Sequence, residues 1–169
     1  MIKKFCWDYV FIAQTSISET VITIGFEQCV QFANDHPTCS VATVEGDQPR
    51  VRTFGLWFAD KDGFFFSTGK TKSIYRQFAA NPKVELCFYA PPEHAPDNGG
   101  TVDIGTMMRA SGTVKFCDDA DLKRRLFEER PFLRSVAEIV VIIHVQNGEA
   151  WFWRWEDNLR EAEITRLPF

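Results

Sequence analysis

No run of about 18 apolar residues occurs anywhere in the sequence, so no segment has the length and polarity of a membrane-spanning helix. Metal-site spacing is missing as well. The three histidines, His36, His94 and His144, are far apart, and the local group Glu93, His94 and Asp97 falls in a proline-rich stretch that suits a solvated turn. There is no G-x-S-x-G nucleophile elbow and no G-x-G-x-x-G dinucleotide fingerprint. Charge of one sign is scarce: 19 basic residues stand against 23 acidic ones, a net charge of −4, and no global field draws nucleic acid or an anionic membrane surface. The five cysteines, Cys6, Cys29, Cys39, Cys87 and Cys117, form no C-x-x-C pair. Odd in number and widely spread, they read as reduced thiols that serve as small hydrophobes in a cytoplasmic protein.

What the sequence does have is core-forming material. A 45% hydrophobic and 14% aromatic content over 169 residues is enough for one compact domain and not for two. Residues 1–25 stand apart from it. Lys3 and Lys4 before Phe5, Cys6 and Trp7 imitate a secretory leader, but Asp8 breaks the apolar run, and the segment reads as an extra strand or a loosely attached extension. The single domain is expected over 26–169.

Periodicity then divides the chain. Phe26, Cys29, Val30 and Ala33 mark one face of a helix over Gly25–Asn34, which stops before Pro37. Thr38–Glu45 and Arg50–Ala59 predict a β-hairpin, Asp60–Gly63 turns into a strand over Gly63–Thr68, and three consecutive antiparallel strands result. A helix over Thr71–Ala80 with Thr71 as its cap follows, then a strand over Lys83–Ala90 with Val84, Leu86 and Phe88 on one face. Beyond a proline- and glycine-rich loop, Ile104–Cys117 is a long strand bent at Gly112. Asp118 or Asp119 caps a surface helix that runs to Glu129, and Phe132–Ala137 is a short helical piece. Asn147-Gly148 predicts a tight turn between strands Glu138–Gln146 and Ala150–Glu156. The aromatic run Trp151-Phe152-Trp153-Arg154-Trp155 suits a barrel strand in an aromatic seam between subunits. Six to seven strands with short helices and no βαβ alternation predict a mainly β fold, an antiparallel barrel closed or nearly closed.

Between the strand ending at Thr68 and the helix that follows, Ser67, Thr68, Gly69, Lys70, Thr71, Lys72 and Ser73 set hydroxyl and ammonium groups beside the free N–H groups of a helix N-terminus. Such a terminus attracts anions. Only Gly69-Lys70-Thr71 of the Walker pattern survives, with Phe64 where its first glycine belongs, so this is not a P-loop. The same string also suits a strand, turn and helix with no ligand. Upstream, Arg50 and Arg52 alternate onto one face of their strand, which makes them either a second set of anion donors or a solvated hairpin face.

Three segments carry a family resemblance: ATVEGDQPRVRTFGLWF, FFFSTGKTKSIYRQFAANPKVELCFY and MRASGTVKFCDDADLKRRLFEERP. In this order and spacing, from Phe26 to about Phe152, they resemble the pyridoxamine 5′-phosphate oxidase-like family of FMN-binding split barrels, in its small oxidase-related branch. The resemblance implies a Greek-key split barrel, a homodimer with the flavin in the inter-subunit cleft, and an FMN-dependent oxidoreductase acting on a small substrate. It implies Arg52 as the phosphate-binding arginine, Ser67 and Thr68 as the strand-end pair on the flavin, and Thr71 and Lys72 on the FMN phosphate. The backbone of Arg50, Val51 and Thr53 would face the ring. The chain departs from the oxidase proper at three places. Trp57 stands where the oxidase has lysine, Met107 where it has glutamine, and Leu159-Arg160-Glu161-Ala162 where it has its Arg-x-His pair. The resemblance therefore does not extend to oxidation of pyridoxine phosphate, and no catalytic residue is assigned. The same fold also serves non-catalytic flavin carriers or sensors and proteins that bind deazaflavin or haem.

Overall fold

The structure is a computed structural model that describes residues 25–92 and 104–169. The expected extension over 1–25, apart from Gly25, lies outside the described residues, as do Glu93, His94 and Asp97 of the proline-rich loop.

Helix α1 (Phe26–Asp35) leads into strands β1 (Thr38–Glu45), β2 (Gln48–Gly55), β3 (Phe58–Asp60) and β4 (Gly63–Gly69), then α2 (Ser73–Ala80) and β5 (Lys83–Ala90). After β6 (Thr106–Cys117) come α3 (Ala120–Glu129), a 3₁₀ turn (Pro131–Val136), β7 (Val140–Trp153), two further short 3₁₀ turns and β8 (Leu167–Pro168). The strands form one antiparallel sheet in the order β2-β1-β5-β6-β7-β4-β3, with β8 added to β7. The fold is the expected mainly β split barrel, built from eight strands. Strand β4 lies beside β7 yet connects through α2 to β5, while β5, β6 and β7 are successive neighbours, which is Greek-key connectivity. The sheet does not close: β2 and β3 are its two edges.

That opening corrects the expected run of three consecutive strands. Arg50–Ala59 is not one strand, because the backbone changes partners at its middle: the Leu56 amide donates to Pro37 O (2.7 Å) and the Trp57 amide to Phe65 O (2.8 Å). From Trp57 onward the chain belongs to the β4 side.

The Asn147-Gly148 turn is corrected too, since β7 runs straight through it. Ser111 pairs with Glu149 and Thr113 with Gln146, so Asn147 and Gly148 together oppose Gly112. Two residues facing one is a β-bulge. Asn147 has φ 54°, a left-handed conformation that both a tight turn and a bulge use, so the dipeptide alone does not distinguish them. Gly148 is required by close approach, because a Cβ there would stand 1.8 Å from Ser111 O.

Inside the barrel, Val41, Phe64, Phe66, Leu86, Phe88, Met108 and Ala110 are buried, with Cys29 and Ala33 of α1 and Ile74 and Phe78 of α2 against them. On β7 the inward set steps from Ile143 and Val145 to Ala150, an odd interval that the bulge absorbs. Each large side chain sequestered here contributes about 1.5–3 kcal/mol. A second cluster, Phe65, Leu126 and Ile142, lies under α3 on the outer face. The helix expected on the surface is therefore anchored by Leu126, and its N-cap is Asp119, which accepts from the Leu122 amide (2.9 Å). Trp151 is buried within the chain itself, with the guanidinium groups of Arg109 (5.2 Å) and Arg166 (3.6 Å) over its ring.

Candidate functional site

The strand β2 sets Arg50 and Arg52 on one side, opposite Thr43 and Val41 of β1. Their charges are answered differently. Arg50 forms an ion pair with Glu45 (2.9 Å). Arg52 meets no carboxylate among the described residues; its Nη1 donates to Thr43 Oγ1 (2.6 Å) and Val41 O (3.3 Å), and its Nη2 to Gln77 Oε1 (2.6 Å). Thr43 also donates to Gln77 Oε1 (2.7 Å), and both side chains are buried. A guanidinium carries five N–H donors, so these bonds leave Nε and one Nη2 hydrogen for a ligand. Burial and the neighbouring Arg50 lower the Arg52 pKa, while Arg50 and then the Gln77 amide hold the Glu45 carboxyl below its ordinary range.

Gln77 ties this strand to α2. It lies four residues, about 6 Å of rise, from Ser73 at the start of the helix. The expected Thr71 cap is corrected here: α2 begins at Ser73 with Lys72 in the N-cap position, and no side chain caps it. The reason is a tighter loop, in which Lys72 N donates to Gly69 O (3.0 Å) and Tyr75 N to Lys72 O (3.1 Å), while Lys70 N reaches Ile139 O (2.8 Å). Thr71 and Lys72 are exposed, and Lys72 has no ion pair among the described residues. The helix starts with uncapped N–H groups beside a free ammonium, which favours an anion.

At the end of β4, Ser67 is half-buried and Thr68 is 5% exposed with its hydroxyl unpartnered among the described residues. A buried hydroxyl without a partner is uncommon, and it sits one residue before the Gly69-Lys70 turn. The structure therefore joins Arg52 to α2, and Ser67 and Thr68 to the Thr71-Lys72 loop. It does not put Val51 and Thr53 on the Arg52 side. Val51 points to the opposite face, where it lines a cavity of ≈ 500 Å³ with Cys87, Met107, Trp153 and the half-buried Arg109–Glu85 ion pair. Thr43 and Gln77 were not singled out in the sequence. Gln77 falls among Ile74 and Phe78 on the apolar side of α2, and that polar interruption is the signal that was there to read.

Comparison with known proteins identifies the family and the fold. The sequence profile described as pyridoxamine 5′-phosphate oxidase matches residues 26–152, about three quarters of the chain. The chain belongs to the pyridoxamine 5′-phosphate oxidase family. Within the family it is 32% identical over 116 residues to a pyridoxine/pyridoxamine 5′-phosphate oxidase of Hyphomonas neptunium, a match covering 63% of this chain and 53% of that protein. The chain thus spans about half the length of this curated relative. Among solved structures, a NimC/NimA family protein from Clostridium acetobutylicum aligns with TM-score 0.60 and 25% identity over 78% of this chain and 86% of its own. The heme storage protein HutZ from Vibrio cholerae aligns with TM-score 0.53 and 12% identity over 73% and 90%, and so shares the fold.

The residues present fit a phosphate ester. Arg52 has unengaged donors, Lys72 and the uncapped start of α2 supply positive charge on the helix that Arg52 contacts through Gln77, and Thr68 has a buried hydroxyl without a partner among the described residues. Phosphate oxygens accept several charge-assisted bonds at once, which neutral groups answer less well.

Proposed function

We propose that the protein binds FMN and acts as an FMN-dependent oxidoreductase on a small substrate. The observation that carries this reading is Arg52: a cation held by the neutral side chains of Thr43 and Gln77, with no carboxylate partner among the described residues, where Gln77 lies four residues from the uncapped start of α2. Arg52, Thr71 and Lys72 would hold the phosphate and Ser67 and Thr68 the adjoining part of the flavin. The backbone of Arg50, Val51 and Thr53 on the open edge of β2 would face the ring. Bound flavin supplies hydride chemistry, and the protein supplies position and hydrogen bonds.

A homodimer is part of the proposal. The outer face of β1, β2, β5 and β6 exposes Val51 (68%) and Tyr89 (48%) beside the cavity lined by Met107 and Trp153, and a second copy would cover it. The four described cysteines are free thiols, which supports a cytoplasmic protein, and no described helix is long and apolar enough to cross a membrane.

Protein purified with added FMN should be yellow and should release a compound that co-elutes with FMN. A haem Soret band, or FAD or a deazaflavin in its place, overturns the cofactor. Anaerobic bleaching by a nicotinamide donor or a candidate substrate, with recovery on adding an acceptor, establishes turnover. A tightly held flavin inert to a broad panel of donors makes the protein a carrier or sensor.

A further inference from the structure

Gln77 is a buried amide on a helix face otherwise given to Ile74 and Phe78, and it is 4% exposed. Its Oε1 accepts from Thr43 Oγ1 (2.7 Å) and from Arg52 Nη2 (2.6 Å). Because a guanidinium only donates, the amide atom that faces Arg52 must be the oxygen. That orientation turns Nε2 away from Arg52, and the Gln77 amide, after Arg50, lowers the pKa of the Glu45 carboxyl that pairs with Arg50 at 2.9 Å.

We infer that Gln77 is the positioning residue of the phosphate site: it holds the Arg52 guanidinium against α2 while leaving its positive charge without a carboxylate partner. The inference rests on the FMN reading above. Arg50 shows the alternative, since a carboxylate partner cancels the charge a ligand phosphate would otherwise meet. An amide keeps the same acceptor geometry and adds no charge. The two arginines are consequently unequal, with Arg52 available to the ligand and Arg50 occupied in holding Glu45.

The test compares FMN with riboflavin, which has the same ring and no phosphate, by flavin fluorescence quenching on the full-length protein and on Gln77→Glu, Gln77→Leu and Arg52→Ala, with the ligand-free melting temperature of each. Gln77→Glu preserves shape and sets a carboxylate against Arg52. It should weaken FMN by about tenfold or more and leave riboflavin nearly unchanged. Lowering the pH should narrow its deficit relative to wild type as the introduced carboxyl gains a proton, whereas the deficit of Gln77→Leu should stay. Should Gln77→Leu melt early because Thr43 and Arg52 lose their acceptor, Gln77→Glu decides alone. If Arg52→Ala loses FMN while Gln77→Glu binds it like wild type, the positioning role is overturned and the FMN site stands. A parallel fall in FMN and riboflavin shows a structural role only and overturns it as well. If wild type binds no FMN, or Arg52→Ala binds it normally, the FMN site falls and the inference with it.

Discussion

Arg50 and Arg52 stand two residues apart on one strand, and what separates them is the group that answers each charge. Arg52→Ala should cost about 1.5–3 kcal/mol of FMN binding, roughly ten- to a hundredfold in Kd by titration, because a charge-assisted donor to the phosphate is lost. Arg50→Ala should cost less, since Arg50 is already paired with Glu45. Lys72→Ala should also cost less than Arg52→Ala, because water replaces a flexible ammonium more readily than a fixed guanidinium. Equal effects of the three substitutions would contradict the assignment. The thiols give a second prediction at this scale. Burial raises the Cys39 thiol to about 12 and the Cys29 thiol to about 11 from an ordinary 9.0. The folded state then holds protons the unfolded state releases, so stability is intact below pH 9 and declines as the pH climbs toward 11–12, where the folded thiols themselves ionise. Chemical denaturation from pH 8 to 10.5 should show that decline, and Cys29→Ser with Cys39→Ser should flatten it. At pH 8 a thiol reagent should reach half-buried Cys117 in the native protein, and Cys29 and Cys39 only on unfolding.

Among the elements, β7 is the one whose local sequence is most easily misread. It pairs with β4 along its first half and with β6 along nearly all of its length, and the bulge at Asn147-Gly148 lets both of its halves keep an apolar side toward the barrel. Gly148→Ala should be severely destabilising, because the new Cβ meets backbone atoms of Ser111 and Gly112 that cannot swing aside as a side chain would. Asn147→Gly should change stability by no more than about 1 kcal/mol, since glycine accepts the left-handed conformation without strain. Thermal melts of the two variants check the bulge: a tolerated Gly148→Ala would show that the backbones of β6 and β7 do not approach as described.

For the whole molecule, the proposed homodimer would tie ligand binding to assembly through the outer face of β1, β2, β5 and β6, where Val51 and Tyr89 are exposed. If a second copy covers that face and the flavin lies in the cleft, dilution to monomer should release FMN, and FMN should shift the association equilibrium toward dimer. At free FMN near 100 times Kd the ligand should stabilise the wild type by about 2.7 kcal/mol. Arg52→Ala at the same FMN concentration should lose most of that rise in melting temperature, measured from its own ligand-free melt. Sedimentation across a dilution series, read at the flavin absorbance, checks the coupling. A monomer that keeps full affinity contradicts the cleft.

The sequence by itself determined what depends on near neighbours. Alternation exposed the β strands, Val84, Leu86 and Phe88 among them, while apolar spacing and Pro37 bounded α1 and a cap at Asp118 or Asp119 placed the start of α3. The order and spacing of the segments made the family legible, and with it the loop from Ser67 to Lys72 and the arginines of β2 as candidates. Only the tertiary structure decided which strands are neighbours, because β2 and β3 follow each other in the chain yet end on opposite edges of the sheet. It also decided that Asn147-Gly148 is a bulge, since an αL residue followed by glycine satisfies both geometries and the partner strand makes the choice. The contact between Arg52 and Gln77 spans 25 residues of chain and arises because α2 packs on β1, so no periodicity could announce it. What answers a charge is settled by long-range packing, and for that reason the candidate arginines were visible in the sequence while the difference between them was not.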